Sequence, residues 1–562
     1  MMDTQRLIAL VVFSFSALLL WDAWQKHNAP RVVTPSTSVP SASTPGIAVP
    51  KAPTTAAANG GAAATPAVPE ATTAPAIVGE PIVVKTDLFD VELSTLGGDI
   101  RRVTMKQHHS ALDRTKPLTL LEPDSRHFFV AQSGLLGDGL PTHQTSYEAD
   151  ARSYALADGR DQIEVALRSR DAKDAVVTKR YTFHRGNYVI DVSYDVKNTA
   201  GQPISPVAYF QFLRDGNPPS EEAAQTSAFA GVTTFTGPAV YTDKDKFEKI
   251  DFKDIEKGKQ LHAKMAKDGW IGMIQHYFVS AWLPKPGVDR EFYTSRVRDN
   301  TYTAGVKVPM GTIAPQATGS VTVPVYIGPQ ETERLEKVAP GLELVVDYGW
   351  LKVLAVPLFV FLKWIHSLVG NWGWAIIILT IVIKLVFYPL NAKAGRSMAQ
   401  MKVLAPKMEK LKQLYGEDRQ KLNQAMMELY KTEKINPLGG CLPIVVQIPV
   451  FIALYWVLLG SIELRHAPWL GWIKDLSAPD PYFILPVIYA VSMLVQTRLN
   501  PQPADPVQAR VMMIMPIMFS VFFLFFPAGL VLYWVVQNLL SILQQWHINR
   551  TLEREAKAKA RR

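Results

Sequence analysis

Hydrophobic and polar positions change period twice along the chain. Residues 7 to 21, LIALVVFSFSALLLW, are continuously apolar behind Arg6, and running on through Trp24 gives about 18 residues, near the lower limit for a membrane span. A signal peptide has the same look. The residues that follow, Asp22-Ala23-Trp24-Gln25, hold no small-x-small cleavage site, so an uncleaved transmembrane anchor over 1–28 is favoured. From 79 to about 335 apolar and polar residues alternate, as in IVVKTDLFDVEL, YVIDVSYDVKN and SVTVPVYIG. Turn clusters at Gly97-Gly98, Arg185-Gly186-Asn187 and Asp215-Gly216-Asn217-Pro218 separate the runs, which predicts a large antiparallel β-sandwich. From 342 to 369 the period becomes helical. Leu351, Leu354, Leu358, Phe361, Leu362, Ile365 and Val369 fall three and four apart, interrupted by Lys352, Lys363 and His366, as in an amphipathic helix lying in a membrane interface. Five apolar runs follow, at about 371–390, 438–462, 481–497, 511–527 and 528–546, the last two joined by a tight Pro527-Ala528-Gly529 turn. The expected fold class is a multi-domain membrane protein: a polytopic α-helical bundle of six transmembrane helices plus a large all-β sandwich domain.

Between these patterns lie two other segments. Residues 29–78 are Pro, Ala, Thr, Ser and Gly with almost no large apolar side chain. They cannot bury enough surface to fold and read as a disordered linker. Residues 391–436 carry the stripes Val403, Leu404, Met408, Leu411, Leu414 and Leu422, Met426, Leu429. Tyr415-Gly416-Glu417-Asp418 parts them, with Asp418 a helix N-cap, so a cytoplasmic helical hairpin is expected inside a five-helix core spanning 370–546.

Charge orients the whole. The chain has 562 residues, a formal net charge of +9, and only 19% charged residues against 48% hydrophobic ones. Ten Lys and Arg face five acids in 391–436, two lie in the loop 463–480, and six lie in the basic tail 547–562. The positive-inside bias puts the hairpin and both termini in the cytoplasm, and the β domain outside it. The one cysteine, Cys441, excludes an internal disulfide framework, and no Cys/His metal spacing is present.

Candidate chemistry centres on Lys384, within TIVIKLVFYPL. A charge at mid-bilayer costs roughly 2.5–3.5 kcal/mol on insertion scales. Thr380 lies one turn away on the same face; Gln447 and Ser520 lie in other spans; Tyr533, Gln537 and Ser541 repeat at spacings of four in the last, with Asn538 beside them. Polar groups at this depth face a bundle interior or a wet cavity. Two readings of Lys384 stay open here: snorkelling to the inner interface, or the cationic floor of a water-containing groove in the inner leaflet. No HExxH, GxSxG, P-loop or intramembrane acid pair accompanies it, so neither an enzyme nor a proton-coupled pump is expected. His108, His109 and His276 have no partners at metal spacing.

The stretches DYGWLKVLAVPLFVFLKWIHSLVGNWGWAIIILT, YPLNAKAGRSMAQMKVLAPKM, NPLGGCLPIVVQIPVFIALYWVL and FFPAGLVLYWVVQNLLSILQQ, with GWIGMIQHYFVSAWLP in the β region, resemble the YidC/Oxa/Albino insertase family in its Gram-negative form with a large periplasmic domain. The resemblance runs end to end. It implies a bacterial inner-membrane protein that integrates and helps fold other membrane proteins through a hydrophilic groove open to cytoplasm and lipid and closed outward, alone or with the Sec translocon. It implies nascent membrane proteins, the Sec translocon (SecYEG and SecDF), the ribosome and membrane lipids as partners, and no cofactor, metal or small-molecule substrate. The site residues carried over are Lys384, Thr380, Tyr533 and Trp534, and Gln447, Ser520 and Gln537 join them from the polar pattern. Lys384 stands where the family usually has arginine, keeping the charge but not the planar fork; Trp534 stands where it often has tyrosine. The tail HINRTLEREAKAKARR suits ribosomal RNA, anionic lipid or a topology-setting charge cluster. A transporter would need paired repeats, and a membrane-anchored binding module would put the activity in the β domain.

Overall fold

The computed structural model describes residues 79–111, 113–124, 127–169, 172–219, 234–259, 261–415, 418–433, 442–499 and 506–560. The expected anchor and linker, with Cys441 and Gly416, lie outside them.

Strands between Pro81 and Pro329 form a ten-stranded and a nine-stranded sheet. The first opens as a meander of five sequence-adjacent strands from Pro81 to Leu136, then accepts Val207–Asp215, Thr301–Pro309 and Arg290–Arg298 in turn. The second is centred on Val189–Asn198, flanked by Ala175–His184 and Thr318–Pro329. Period-two patterning does the positioning: Ile190, Val192, Tyr194 and Val196 are fully buried while the residues between them turn away. The sheets meet through aromatic rings, with Phe210 and Phe212 of one at 5.1 and 5.6 Å from Trp282 of the other. Only Pro81–Lys85 and Ser153–Ala155 pair in parallel among the described strands.

Two short helices, α1 (Phe252–Glu256) and α2 (Thr332–Val338), belong to this domain. Eight longer ones follow: α3 (Lys352–Val369), α4 (Trp372–Val386), α5 (Tyr388–Tyr415), α6 (Arg419–Thr432), α7 (Leu442–Gly460), α8 (Ile484–Leu499), α9 (Pro506–Phe523) and α10 (Ala528–Ala560). α3 packs on α4 and α7, and α10 packs on α4, α7 and α8. Residues 342–351 are not part of α3; they open with a 3₁₀ turn, Leu342–Val345. The buried face of α3 is Ala355, Phe359, Leu362 and Ile365, so only part of the expected stripe faces the bundle, while Val353, Val360, Trp364 and Leu368 are exposed.

By length and composition α3 is apolar and long enough to cross a membrane, and α4 with Tyr388–Ser397 passes only as a pair bent by 66°. The expected run to residue 390 therefore stops at Val386. Pro389, in the first turn of α5, has no N–H with which to continue the ladder. Lys384 accordingly sits in the last turn of α4 rather than at the middle of a span running to residue 390. Asp418 caps α6, its carboxylate accepting from the backbone N–H of Gln420 and Lys421. α5 and α6 pack as a hairpin in which Tyr430 reaches Met408. The tail continues α10 as helix to Ala560.

Candidate functional site

α10 carries Tyr533, Gln537 and Ser541 on one face, one turn apart each time. The face meets three other helices. Lys384 Nζ of α4 donates to Ser541 Oγ at 2.7 Å, and Ser541 in turn donates to the Gln537 carbonyl at 2.8 Å. Gln537 Nε2 donates to Gln447 Oε1 of α7 at 3.1 Å. Asn538 Nδ2 donates to Ser492 Oγ of α8 at 2.7 Å. Lys384, Gln447 and Gln537 are thus brought together, through Ser541, into one polar cluster within an otherwise apolar bundle.

The cluster is not closed. Gln447 Nε2, Gln537 Oε1 and Trp534 Nε1 are buried with no hydrogen-bond partner among the described residues. Each such atom costs about 1–3 kcal/mol if it stays unpaired. Lys384 forms no ion pair with a carboxylate among the described residues, so its charge meets only a neutral hydroxyl. Beside the cluster stands an aromatic wall: Trp534 lies 4.8 Å from Phe451, 6.0 Å from Phe523 and 6.3 Å from Tyr489.

Other expected residues sit differently. Thr380 is fully buried and spends its hydroxyl on the Ile376 carbonyl at 2.7 Å. Ser520 does the same with Pro516 at 2.7 Å. Tyr533 is 3% exposed, and its neighbour Trp534 is half-buried. Sequence reasoning left out Ser492. A lone serine in an apolar run carries no periodic signal, and only the facing Asn538 gives it meaning.

At the other end of the bundle, residues 461–483 fold over the helix ends. Asp475, 6% exposed, accepts through Oδ1 from the backbone N–H groups of His466 and Ser477 and from the Ser477 hydroxyl. Its Oδ2 pairs with Arg114 of the β domain at 2.9 Å. Asp480 accepts from Trp472 Nε1 and from the N–H groups of Tyr482 and Leu485. The loop is tied down where Ala528 and Gly529 N–H groups donate to the carbonyls of Ala478 and Leu476. Gly373 is needed beneath it, since a Cβ there would come within 2.1 Å of the Trp469 ring.

The β domain docks on this same end. Arg465 donates to the His109 carbonyl at 2.7 Å, and His276 Nε2 bonds the Leu459 carbonyl at 3.0 Å. Lys249 pairs with Asp347 at 2.6 Å and Lys363 with Glu333 at 2.6 Å. Burial at this contact draws His276 and His108 from 6.5 down to about 4.

Residues 81–361 match the YidC periplasmic domain, and residues 364–556 match the 60Kd inner membrane protein family. The fold and the site thus define an inner-membrane protein that carries a periplasmic β-sandwich domain. Relatives named "Membrane protein insertase YidC" are 54% identical in Aromatoleum aromaticum and 51% in Methylobacillus flagellatus, each alignment covering 99% of both chains, and 50% identical in Nitrosospira multiformis, covering 99% and 98%. The chain belongs to the YidC membrane protein insertase family. Among solved structures, "Active YidC insertase crystal structure with the first transmembrane domain resolved" is 18% identical, with a TM-score of 0.38, covering 83% of this chain and 92% of that one. A galactose mutarotase related enzyme from Lactobacillus acidophilus aligns over 44% of the chain at a TM-score of 0.29.

Proposed function

We propose that this chain is a membrane protein insertase and folding chaperone of the bacterial inner membrane, and that the Lys384–Ser541–Gln537–Gln447 cluster is its client-binding recess. The observation that carries the reading is a cation held by a hydroxyl, beside buried amide atoms without partners, inside an apolar bundle. Such atoms demand water or the polar atoms of an incoming chain. A hydrated recess shortens the path that a client's polar flank must take through hydrocarbon, and Lys384 attracts acidic residues on that flank. The client's apolar segment then leaves sideways into lipid, favourably by about 0.8 kcal/mol per buried CH₂. No covalent step is required.

Helix length supports the same mechanism. α4 has 15 residues and α8 has 16, about 22–24 Å by helical rise, against a hydrocarbon core about 30 Å thick. Short helices thin the bilayer around them, which lowers the barrier further. The topology that fits has six spans with both termini cytoplasmic, α5–α6 and the basic end of α10 in the cytoplasm, α3 at the outer interface, and the Asp475 loop as the outward seal. Nascent membrane proteins are the clients and the Sec translocon a partner of the whole chain; the ribosome is the partner proposed for the basic cytoplasmic hairpin and tail, with anionic lipid the alternative for the tail. Thr380, Tyr533 and Trp534 shape the wall, and Ser520 supports α9.

Reconstitution tests this. The purified chain, alone in vesicles, should integrate a short client with an acidic outer tail, and Lys384→Ala should slow it. Integration no faster than in protein-free vesicles would refute the proposal.

A further inference from the structure

Lys384 is placed where a lysine ought to escape. α4 ends two residues later at Val386, and the chain turns through 66° there. Its four-carbon stem is long and freely rotating, so the ammonium's ordinary course is to snorkel toward the headgroups. It does not take that course. Nζ points across to α10 and donates to Ser541 Oγ at 2.7 Å, a contact between residues 157 apart in sequence.

Ser541 is prepared for this. Its hydroxyl hydrogen is committed to the Gln537 carbonyl at 2.8 Å, so only its lone pairs face the lysine. A hydroxyl that already donates is a better acceptor, because the two bonds polarise one another. The acceptor is also neutral, so it holds the ammonium without cancelling its charge. A carboxylate in its place would hold the ammonium more tightly and leave nothing for a client's acid. Of the three Nζ donors Ser541 takes one, so the ammonium keeps capacity for further acceptors. Gln537 ties the arrangement to Gln447 one turn further in, so the cation and the orphaned amide atoms share one surface.

We infer that Ser541 is the positioning residue that holds the Lys384 ammonium inside the recess, and that it thereby sets the preference for clients with acidic tails. This rests on the proposed function of the recess. The mechanism is a choice of resting place. With Ser541 the charge stays inside the recess, along the path of the entering flank; without it the charge moves out to the inner headgroups and no longer draws the acidic tail into the recess.

The test uses the purified full chain in vesicles with two clients that differ only in the tail, one acidic and one neutral. Ser541→Ala should slow the acidic client about fivefold more than it slows the neutral one, the effect of losing one modest hydrogen bond. Ser541→Thr keeps the hydroxyl and should restore the acidic client. Adding Ser541→Ala to Lys384→Ala should cost nothing more, because there is no longer an ammonium to place. Equal slowing of both clients, or a further loss in the double variant, would mean that Ser541 only supports packing and would overturn the inference. If Lys384→Ala slows the acidic client and Ser541→Ala does not, the inference fails while the recess stands. If neither slows it, the recess reading fails as well.

Discussion

Replacing Asp475 with alanine should open the outer end of the bundle. The side chain is 4% exposed and holds three donors, the N–H groups of His466 and Ser477 and the Ser477 hydroxyl, besides Arg114. Orphaning a buried donor costs about 1–3 kcal/mol. The Arg114 guanidinium is 42% exposed, so its share is that of a surface pair, about 0–1 kcal/mol. With partial relaxation of the loop the sum is about 3 kcal/mol, enough to raise the population of a locally opened loop about a hundredfold. Asp475→Asn keeps the Oδ1 acceptor and should cost about 1 kcal/mol, a fivefold effect. The assay is the rate at which a membrane-impermeant thiol reagent, added from outside, labels Leu476→Cys in a Cys441→Ser background; Leu476 is 1% exposed. A labelling rate for Asp475→Ala equal to that of the unaltered loop would refute the reasoning, because the carboxylate would then not hold the seal.

Three further outcomes are expected. His108, His276 and His466 are each lowered from 6.5 to about 4 by burial, so they are neutral when the β domain is docked and take up protons once exposed. A lowered base gives stability that is complete above pH 6.5 and lost as pH falls toward 4, so the melting temperature of the full chain in detergent should be flat above pH 7, fall between 6.5 and 4, and fall less in His276→Gln; a flat profile throughout contradicts this. Inside the sandwich, Lys179 lies buried beside Asp99 and donates to the Gly97 carbonyl at 2.9 Å; Lys179→Met should lower stability by about 3–5 kcal/mol by stranding a buried carboxylate, and adding Asp99→Asn should recover most of it, both read by denaturant-dependent proteolysis of the full chain. Gln447→Leu and Gln537→Leu should each slow insertion of a client with a polar tail, and the double variant should slow it by less than the product of the two, since the pair bonds at 3.1 Å; independent effects would contradict the contact.

Much of this was legible in the residues, for particular physical reasons. Val189–Asn198 announces a strand because alternate side chains must choose opposite faces, and the buried set is the apolar set. Gln537 and Ser541 announce a polar face because spacings of four stack on a helix and lipid cannot satisfy them. Asp418 is readable as a cap because its side chain closes a local ring. What was not legible depends on partners far away in sequence. Lys384 looked central in its span because the apolar run continues through Phe387 and Leu390, and hydropathy does not register that Pro389 breaks the ladder and bends the chain. Thr380 looked available because a helical wheel shows its side but not what covers it; α4's neighbours bury it completely. The face of α3 was misjudged by about one position because apolar residues surround it, and only packing against α4 and α7 chooses among them. Ser492 and the Asp475 seal had no signal at all, being defined by Asn538 and Arg114 across the fold.

The central claim is that the cluster on α10 faces water within the membrane. Nitroxide probes at positions 537 and 539, in vesicles exchanged into deuterated water, test it most directly: Leu539 is 48% exposed on the outer side of the bundle and serves as the lipid-facing reference. Strong deuterium modulation at 537 with little at 539 is the result expected. Equally weak modulation at both positions would contradict a hydrated recess and leave Lys384 without the role given to it.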